Sequence, residues 1–284
     1  MHTARCGHAT GDAREYVEAS IAAGLAIITF TDHQPFLRYR DSGLTMTPEE
    51  LPAYLEEVRA LRDEFRGRID IRVGLEADYL AERVEETRAL LASQRFDLVL
   101  GGLHFQGEWG FDDPRQQEAW AGREVDSVYR AYFEDLRAAA RTGLFDVMPH
   151  PDLVKKFGHR ATYDLEAEYA HTASVFAACR VAVEVNTAGL RKPVNEIYPH
   201  VSFLRACADA SVPVSVGADA HEPKDCGRDF DLARALQLEA GLSRDGDLRR
   251  SKDQRHVAAA LTEERWRPLG ALSPRDAKAA LDGG

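Results

Sequence analysis

Short apolar runs alternate along this chain with longer stretches whose apolar residues recur at helical spacing. The runs at 26–31 (AIITFT), 70–74 (DIRVG), 97–102 (DLVLGG), 145–148, 181–186 (VAVEVN) and 213–217 (PVSVG) are brief and rich in β-branched residues. That is the pattern of strands covered on both faces. Between them, 12–23, 47–65, 83–93, 126–141, 164–178 and 200–210 read as amphipathic helices. The second of these carries Thr47 as cap, Pro48 at the first helical position and Glu50 three residues after the cap, a capping-box start. Strand–helix alternation implies right-handed crossovers, and so either an open doubly wound sheet or a barrel.

The pattern fades after residue 242. Residues 243–257 are highly charged with no apolar face, and a short helix is expected to start at Ser273-Pro274. The expected organisation is therefore one barrel-sized unit over 1–242 and a charged connector with a C-terminal extension over 243–284. A length of 284 residues suits an α/β barrel of about 250 residues as a single unit.

Charge and composition narrow the partners. With 36 Lys+Arg against 47 Asp+Glu, the net charge is -11, which does not offer the broad basic surface that nucleic-acid binding needs. No apolar run approaches 18 residues, so no membrane span is expected. The first residues hold no apolar signal core, so Cys6, Cys179, Cys207 and Cys226 are expected to be reduced thiols in a cytoplasm.

The histidines carry the chemistry. Placed just after predicted strands are Thr31-Asp32-His33, Gly74-Leu75-Glu76-Ala77-Asp78, His104 after Gly101-Gly102-Leu103, Met148-Pro149-His150-Pro151-Asp152, and Gly217-Ala218-Asp219-Ala220-His221. In a parallel barrel the C-terminal strand ends meet on one face, where active sites form. His2 and His8, just before the first helix, can join them, so six of the ten histidines fall on these positions. Desolvating so many imidazoles and carboxylates together is costly without metals or mutual pairing. Mixed imidazole and carboxylate donors suit Zn, Mn or Fe, and their number exceeds one tetrahedral site. Two or three divalent ions are expected, with Glu76 as a bridge.

These segments, together with His2-Thr3, Cys6-Gly7-His8-Ala9, Asp78-Tyr79 and His104-Phe105, run in order from residue 2 to about 242. They resemble the PHP (polymerase and histidinol phosphatase) family, and within it the stand-alone histidinol-phosphatases. The resemblance implies a distorted (β/α)7 barrel with a trinuclear centre. It assigns His2, Glu76 and Asp219 to one metal, Glu76, His104 and His150 to a second, and His8, His33 and His221 to a third. It implies hydrolysis of L-histidinol phosphate in histidine biosynthesis, with Glu76 and Asp219 holding a metal-bridging hydroxide. The family motif at the start is His-x-His, and Met1 stands at x; the expected explanation is a start a few codons upstream.

A phosphomonoester also needs cations for its equatorial oxygens. Lys155, Lys156 and Arg160 follow the His150 motif, and Arg191 follows the strand ending at Asn186. The resemblance favours Arg160 and Arg191; Lys155 and Lys156 are equal alternatives for a further cation, of which Lys156 is taken. His159 is nominated as a substrate contact only by its neighbourhood. Cys6 is read as a packing thiol. Asp32 and Asp78 are read as carboxylates that orient imidazoles. Two other functions fit the residues less well: a nuclease or other phosphoesterase of the same family, and a metal-binding module without catalysis.

Overall fold

Burial of β-branched runs in a sheet covered by helices decides the architecture. The computed structural model describes residues 1–35 and 43–242. The connector at 243–257 and the helix expected from Ser273 lie outside them. Six parallel strands, β1 (Ile27–Phe30), β2 (Asp70–Asp78), β3 (Leu98–Gly102), β6 (Val147–Met148), β7 (Ala182–Asn186) and β8 (Val214–Gly217), form one sheet in the order β1-β2-β3-β6-β7-β8. A small antiparallel hairpin, β4 (Phe105–Gln106) and β5 (Trp109–Gly110), follows β3.

Helices α1 (Ala13–Ala22), α2 (Leu51–Glu64), α3 (Val84–Ala92), α4 (Val125–Arg141), α5 (Glu166–Cys179), α6 (Val201–Asp209) and α7 (Phe230–Glu239) complete the described elements. None is long and apolar enough to cross a membrane. The sheet curls as a distorted (β/α) barrel. At the C-terminal ends of its two edge strands, the first residues of the chain span the gap. The Met1 carbonyl accepts from Thr31 N–H at 3.0 Å, and His2 N–H donates to the Ala220 carbonyl at 2.9 Å.

Two apolar clusters fasten the layers. One packs α4, α5 and α6 on the sheet through Phe133, Phe176, Phe203, Val183 and Val185; the other packs α1 and α2 on β1 and β2 through Tyr16, Val17, Phe30, Leu55 and Val58. On α4 the buried positions Val128, Tyr129, Tyr132, Phe133, Leu136 and Ala140 lie on one face, as the 3.6 period requires. Burying one such side chain is worth about 1.5–3 kcal/mol.

Several elements differ from their sequence pattern. Strand β2 continues past Gly74 to Asp78, because β3 pairs with it from Gly74 to Asp78. Glu76 and Asp78 therefore sit on the strand itself. Helix α2 begins at Leu51, not Thr47; residues 48–50 form a turn, and only half of the expected box is present, with Glu50 Oε2 accepting from Thr47 N–H at 2.7 Å. A complete capping box instead starts α1, between Asp12 and Glu15. The β4–β5 hairpin and α7 have no counterpart in the sequence reading. Two-residue strands carry too little alternation to be seen, and α7 buries only Ala233 and Gln237.

Candidate metal centre

Each strand end delivers its side chain by a local device. The β1–β2 ladder continues past β1: Glu76 N–H donates to Asp32 O at 3.1 Å and Gln34 N–H donates to Glu76 O at 2.8 Å, which sets His33 beside Glu76. Gly102 ends β3 without a side chain because a Cβ there would come within 2.6 Å of His104 and 2.8 Å of a Glu76 oxygen. His150 and Asp219 both adopt positive φ, 30° and 45°, at the sharp turns that leave β6 and β8. Such backbone is uncommon for residues other than glycine and collects at functional sites. The start of the chain is pinned by Asp32, whose Oδ1 accepts from Thr3 N–H at 2.8 Å and Thr3 Oγ1–H at 2.9 Å. This differs from the role of imidazole partner expected of Asp32. Asp78 does take that role, with Oδ1 2.5 Å from Nδ1 of His104.

The eight expected ligands converge. His2 Nε2 lies 3.2 Å from Glu76 Oε2 and 3.0 Å from Asp219 Oδ1. His150 Nε2 and His104 Nε2 lie 3.1 Å and 3.5 Å from Glu76 Oε1. Donor atoms of His8, His33 and His221 form another group with all separations within 4.8 Å, as do those of Glu76, His104 and His150. Cys6 Sγ also lies within 4.8 Å of ring nitrogens of His2 and His221, but it is fully buried and donates to the Thr3 carbonyl at 3.1 Å.

These residues fit metal ions on their own chemistry. Nδ1 of His8 lies 2.8 Å from the Cys6 carbonyl, and Nδ1 of His221 lies 3.0 Å from the Asp219 carbonyl. Each contact calls for the proton on Nδ1, which leaves Nε2 as a bare lone pair. Those two Nε2 atoms face one another at 2.9 Å. Two lone pairs at that distance repel unless a cation is shared between them. The two carboxylates and two of the imidazoles are in the matching ionisation states. Although burial opposes it, the surrounding imidazoles hold Glu76 and Asp219 well below the usual carboxylate range. Burial keeps His33 well below its ordinary value and His221 down to about 3. Metal ligation needs this combination of ionised carboxylate and neutral imidazole. At His104, His2 and His8 burial pulls down but is overridden, by Asp78 to about 10 at His104, by Asp219 at His2 and by Cys6 at His8. These three rings therefore hold a proton that a bound metal would have to displace.

Seven of the eight ligands, all but the buried His2, line a cleft of about 1030 Å³, and Lys156, Lys192, Asp112 and Tyr198 also line it. Lys156 Nζ is fixed by Asp112, donating to the backbone carbonyl at 2.7 Å and to Oδ2 at 2.9 Å. Lys192 is half-buried and has no ion-pair partner among the described residues. Burial pulls its ammonium down, while Asp219 supports it.

Lys192 was missed in the sequence. It is adjacent to Arg191, and only the direction of the 3-10 turn Thr187–Arg191 decides which of the two cations faces the cleft. Arg191 turns away, donating from Nη2 to the Ala218 carbonyl at 2.5 Å, with Nε 3.6 Å from Asp225. Arg160 is also outside the cleft lining; it is exposed and pairs with Glu196 at 2.5 Å. Lys155 is buried between Asp152 at 2.8 Å and Glu196 at 3.3 Å. His159 stacks on Trp120 at 4.2 Å, away from the ligands. Of the expected phosphate cations, then, Lys156 lines the cleft because its partner Asp112 lines it too, whereas Glu196 and the Ala218 carbonyl hold Arg160 and Arg191 outside the lining.

The sequence matches the PHP domain family over residues 1–188. The chain belongs to the PHP domain family. A probable histidinol-phosphatase of Deinococcus radiodurans is 43% identical over 231 residues, covering 81% of this chain and 88% of that one. The histidinol-phosphatase of Bacillus subtilis is 28% identical over 256 residues, covering 80% of this PHP chain and 94% of its own length. In structure, the PHP fold here is similar to histidinol phosphate phosphatase from Lactococcus lactis, solved with zinc, L-histidinol and phosphate. The TM-score is 0.73 at 24% identity, with 86% of this chain and 92% of that one covered.

Proposed function

We propose that this PHP chain is a metal-dependent phosphomonoesterase that hydrolyses L-histidinol phosphate to L-histidinol and phosphate. The observation that carries the reading is the convergence of eight metal-type ligands, seven of them lining a cleft that two lysines also line, in a chain 43% identical to a probable histidinol-phosphatase. Two or three divalent ions are the proposed complement. His2, Glu76 and Asp219 would hold one, Glu76, His104 and His150 a second, and His8, His33 and His221 a third. Zinc is favoured because it accompanies histidinol and phosphate in the Lactococcus lactis relative. When bound, such ions supply Lewis acidity and lower the pKa of a water.

The chain's own groups do the rest. Glu76 and Asp219 stay ionised and compensate the positive charge. His104 is held in one orientation by Asp78. Lys156, anchored by Asp112, and Lys192 supply positive charge for the phosphoryl oxygens, a contribution of about 3 kcal/mol for one positioned donor. The four cysteines are all unpaired thiols, which supports a reducing, cytoplasmic setting. The test is phosphate release from a panel of phosphomonoesters, with metal content measured on the same sample. Preferential turnover of histidinol phosphate is expected. A metal-loaded protein inactive on every phosphomonoester would overturn the reading.

A further inference from the structure

Glu184 is a buried carboxylate that the eight-ligand centre does not use. It lies on β7, is 8% exposed, and lines a second cavity of about 470 Å³ that Glu76, His150 and Asp219 also line. Two devices hold it there. Asn186 Nδ2 donates to its Oε2 at 2.7 Å, and Asn186 is itself fixed by accepting from Ala188 N–H at 2.9 Å. On the neighbouring strand β8, Gly217 leaves the space Glu184 fills: a Cβ at residue 217 would stand 2.0 Å from Glu184 Oε1. A side chain at residue 217 would displace the carboxylate from this position.

A carboxylate taken out of water needs compensation. Burial raises the pKa of Glu184, and His150 is the strongest opposing charge. His150 has the complementary need. Its Nε2 faces Glu76, while its buried Nδ1 has no hydrogen-bond partner. Imidazoles that ligate metals pass their other N–H to a carboxylate, a carbonyl or a water, which fixes the ring and raises its basicity. His104 does so with Asp78, and His8 and His221 with backbone carbonyls.

We propose that Glu184 is a positioning residue for the metal centre: through a water in the cavity they share, it takes the Nδ1–H of His150 and so holds that ring's Nε2 toward Glu76. The cavity is large enough for a bridging water with two polar partners. The inference rests on the metal-centre reading above and not on the identity of the substrate.

The test is zinc affinity, read by chelator competition together with metal content, alongside the melting temperature of metal-free protein. Glu184→Gln keeps the shape and can still accept from Asn186, but lacks the charge. Its metal-free melting temperature is expected to match the parent, while its weakest zinc site loses about 10–100-fold in affinity. Tyr198→Phe is the control, because its buried hydroxyl is also unpartnered and its ring centroid is 6.4 Å from that of His150. It is expected to leave zinc affinity unchanged. Parent-like affinity in Glu184→Gln overturns the proposal, as does a matching loss in Tyr198→Phe. If the amide does not fold, Glu184→Asp, with the charge withdrawn by one methylene, is expected to lose affinity in the same direction. Parent-like affinity there overturns it equally. Failure of the parent protein to hydrolyse histidinol phosphate would count against the substrate alone.

Discussion

Oε2 of Glu76 lies 3.2 Å from Nε2 of His2, although 73 residues intervene between them in the chain. The other oxygen of the same carboxylate faces His150 at 3.1 Å. One side chain therefore serves both halves of the centre. Glu76→Gln keeps its shape and removes its charge, so it is expected to disturb two ions at once. The drop in kcat/KM is expected to exceed about 10³-fold, beyond the loss from one positioned electrostatic group. It should also exceed the effect of His8→Ala. Near-normal turnover with full metal occupancy would remove Glu76 from the mechanism.

Chelation is expected to abolish turnover and to lower the melting temperature. Ligands drawn from both ends of the described chain meet only in the folded state, so metal binding is linked to folding. One site held at a hundred times its Kd contributes about 2.7 kcal/mol. For a chain of this size that is about 5–10 °C. Differential scanning calorimetry with and without chelator checks it; coincident transitions would oppose a metal-linked fold.

The cations divide by where they point. Lys192→Ala and Lys156→Ala are each expected to cut kcat/KM by about 10²-fold with metal content unchanged. Arg160→Ala, which removes one partner of an exposed ion pair, is expected to stay within about twofold, since such pairs are worth about 0–1 kcal/mol. Arg191→Ala is expected to act through stability, because Arg191 braces the carbonyl just before Asp219. Steady-state kinetics with metal analysis on all four variants decides; equal losses at Arg160 and Lys192 would contradict the assignment.

Asp146 gives a pH test away from the metal centre. Burial raises its carboxyl to about 7, although the Val99 N–H it accepts at 2.7 Å pulls it down. A raised carboxyl binds its proton more tightly in the folded state than in the unfolded one. Stability linked to this group is therefore present below the unfolded value near 4 and is lost as pH rises toward about 7. Asp146→Asn keeps an acceptor for Val99 and does not ionise. Its melting temperature is expected to gain on the parent as pH goes from 5 to 8. A gap that stays constant over that range would show that Asp146 does not titrate there.

The division between sequence and fold follows from the range of the forces involved. Alternating apolar runs and helical spacing are local properties, so the strands that build the barrel and the strand-end positions of His33, His104, His150 and Asp219 are legible in the sequence. A parallel barrel brings strand ends together whatever its details, so the convergence of these side chains is legible as well. The direction of a long cation is not local. Arg160, Lys156, Arg191 and Lys192 are alike in the sequence, and tertiary neighbours alone sort them: Glu196 takes Arg160, the Ala218 carbonyl takes Arg191, and Asp112 anchors Lys156 in the cleft. The same holds for Glu184. Its residues VAVEVN read as an apolar strand, and only the pairing of β7 with β8 sets its carboxylate over Gly217 inside the barrel.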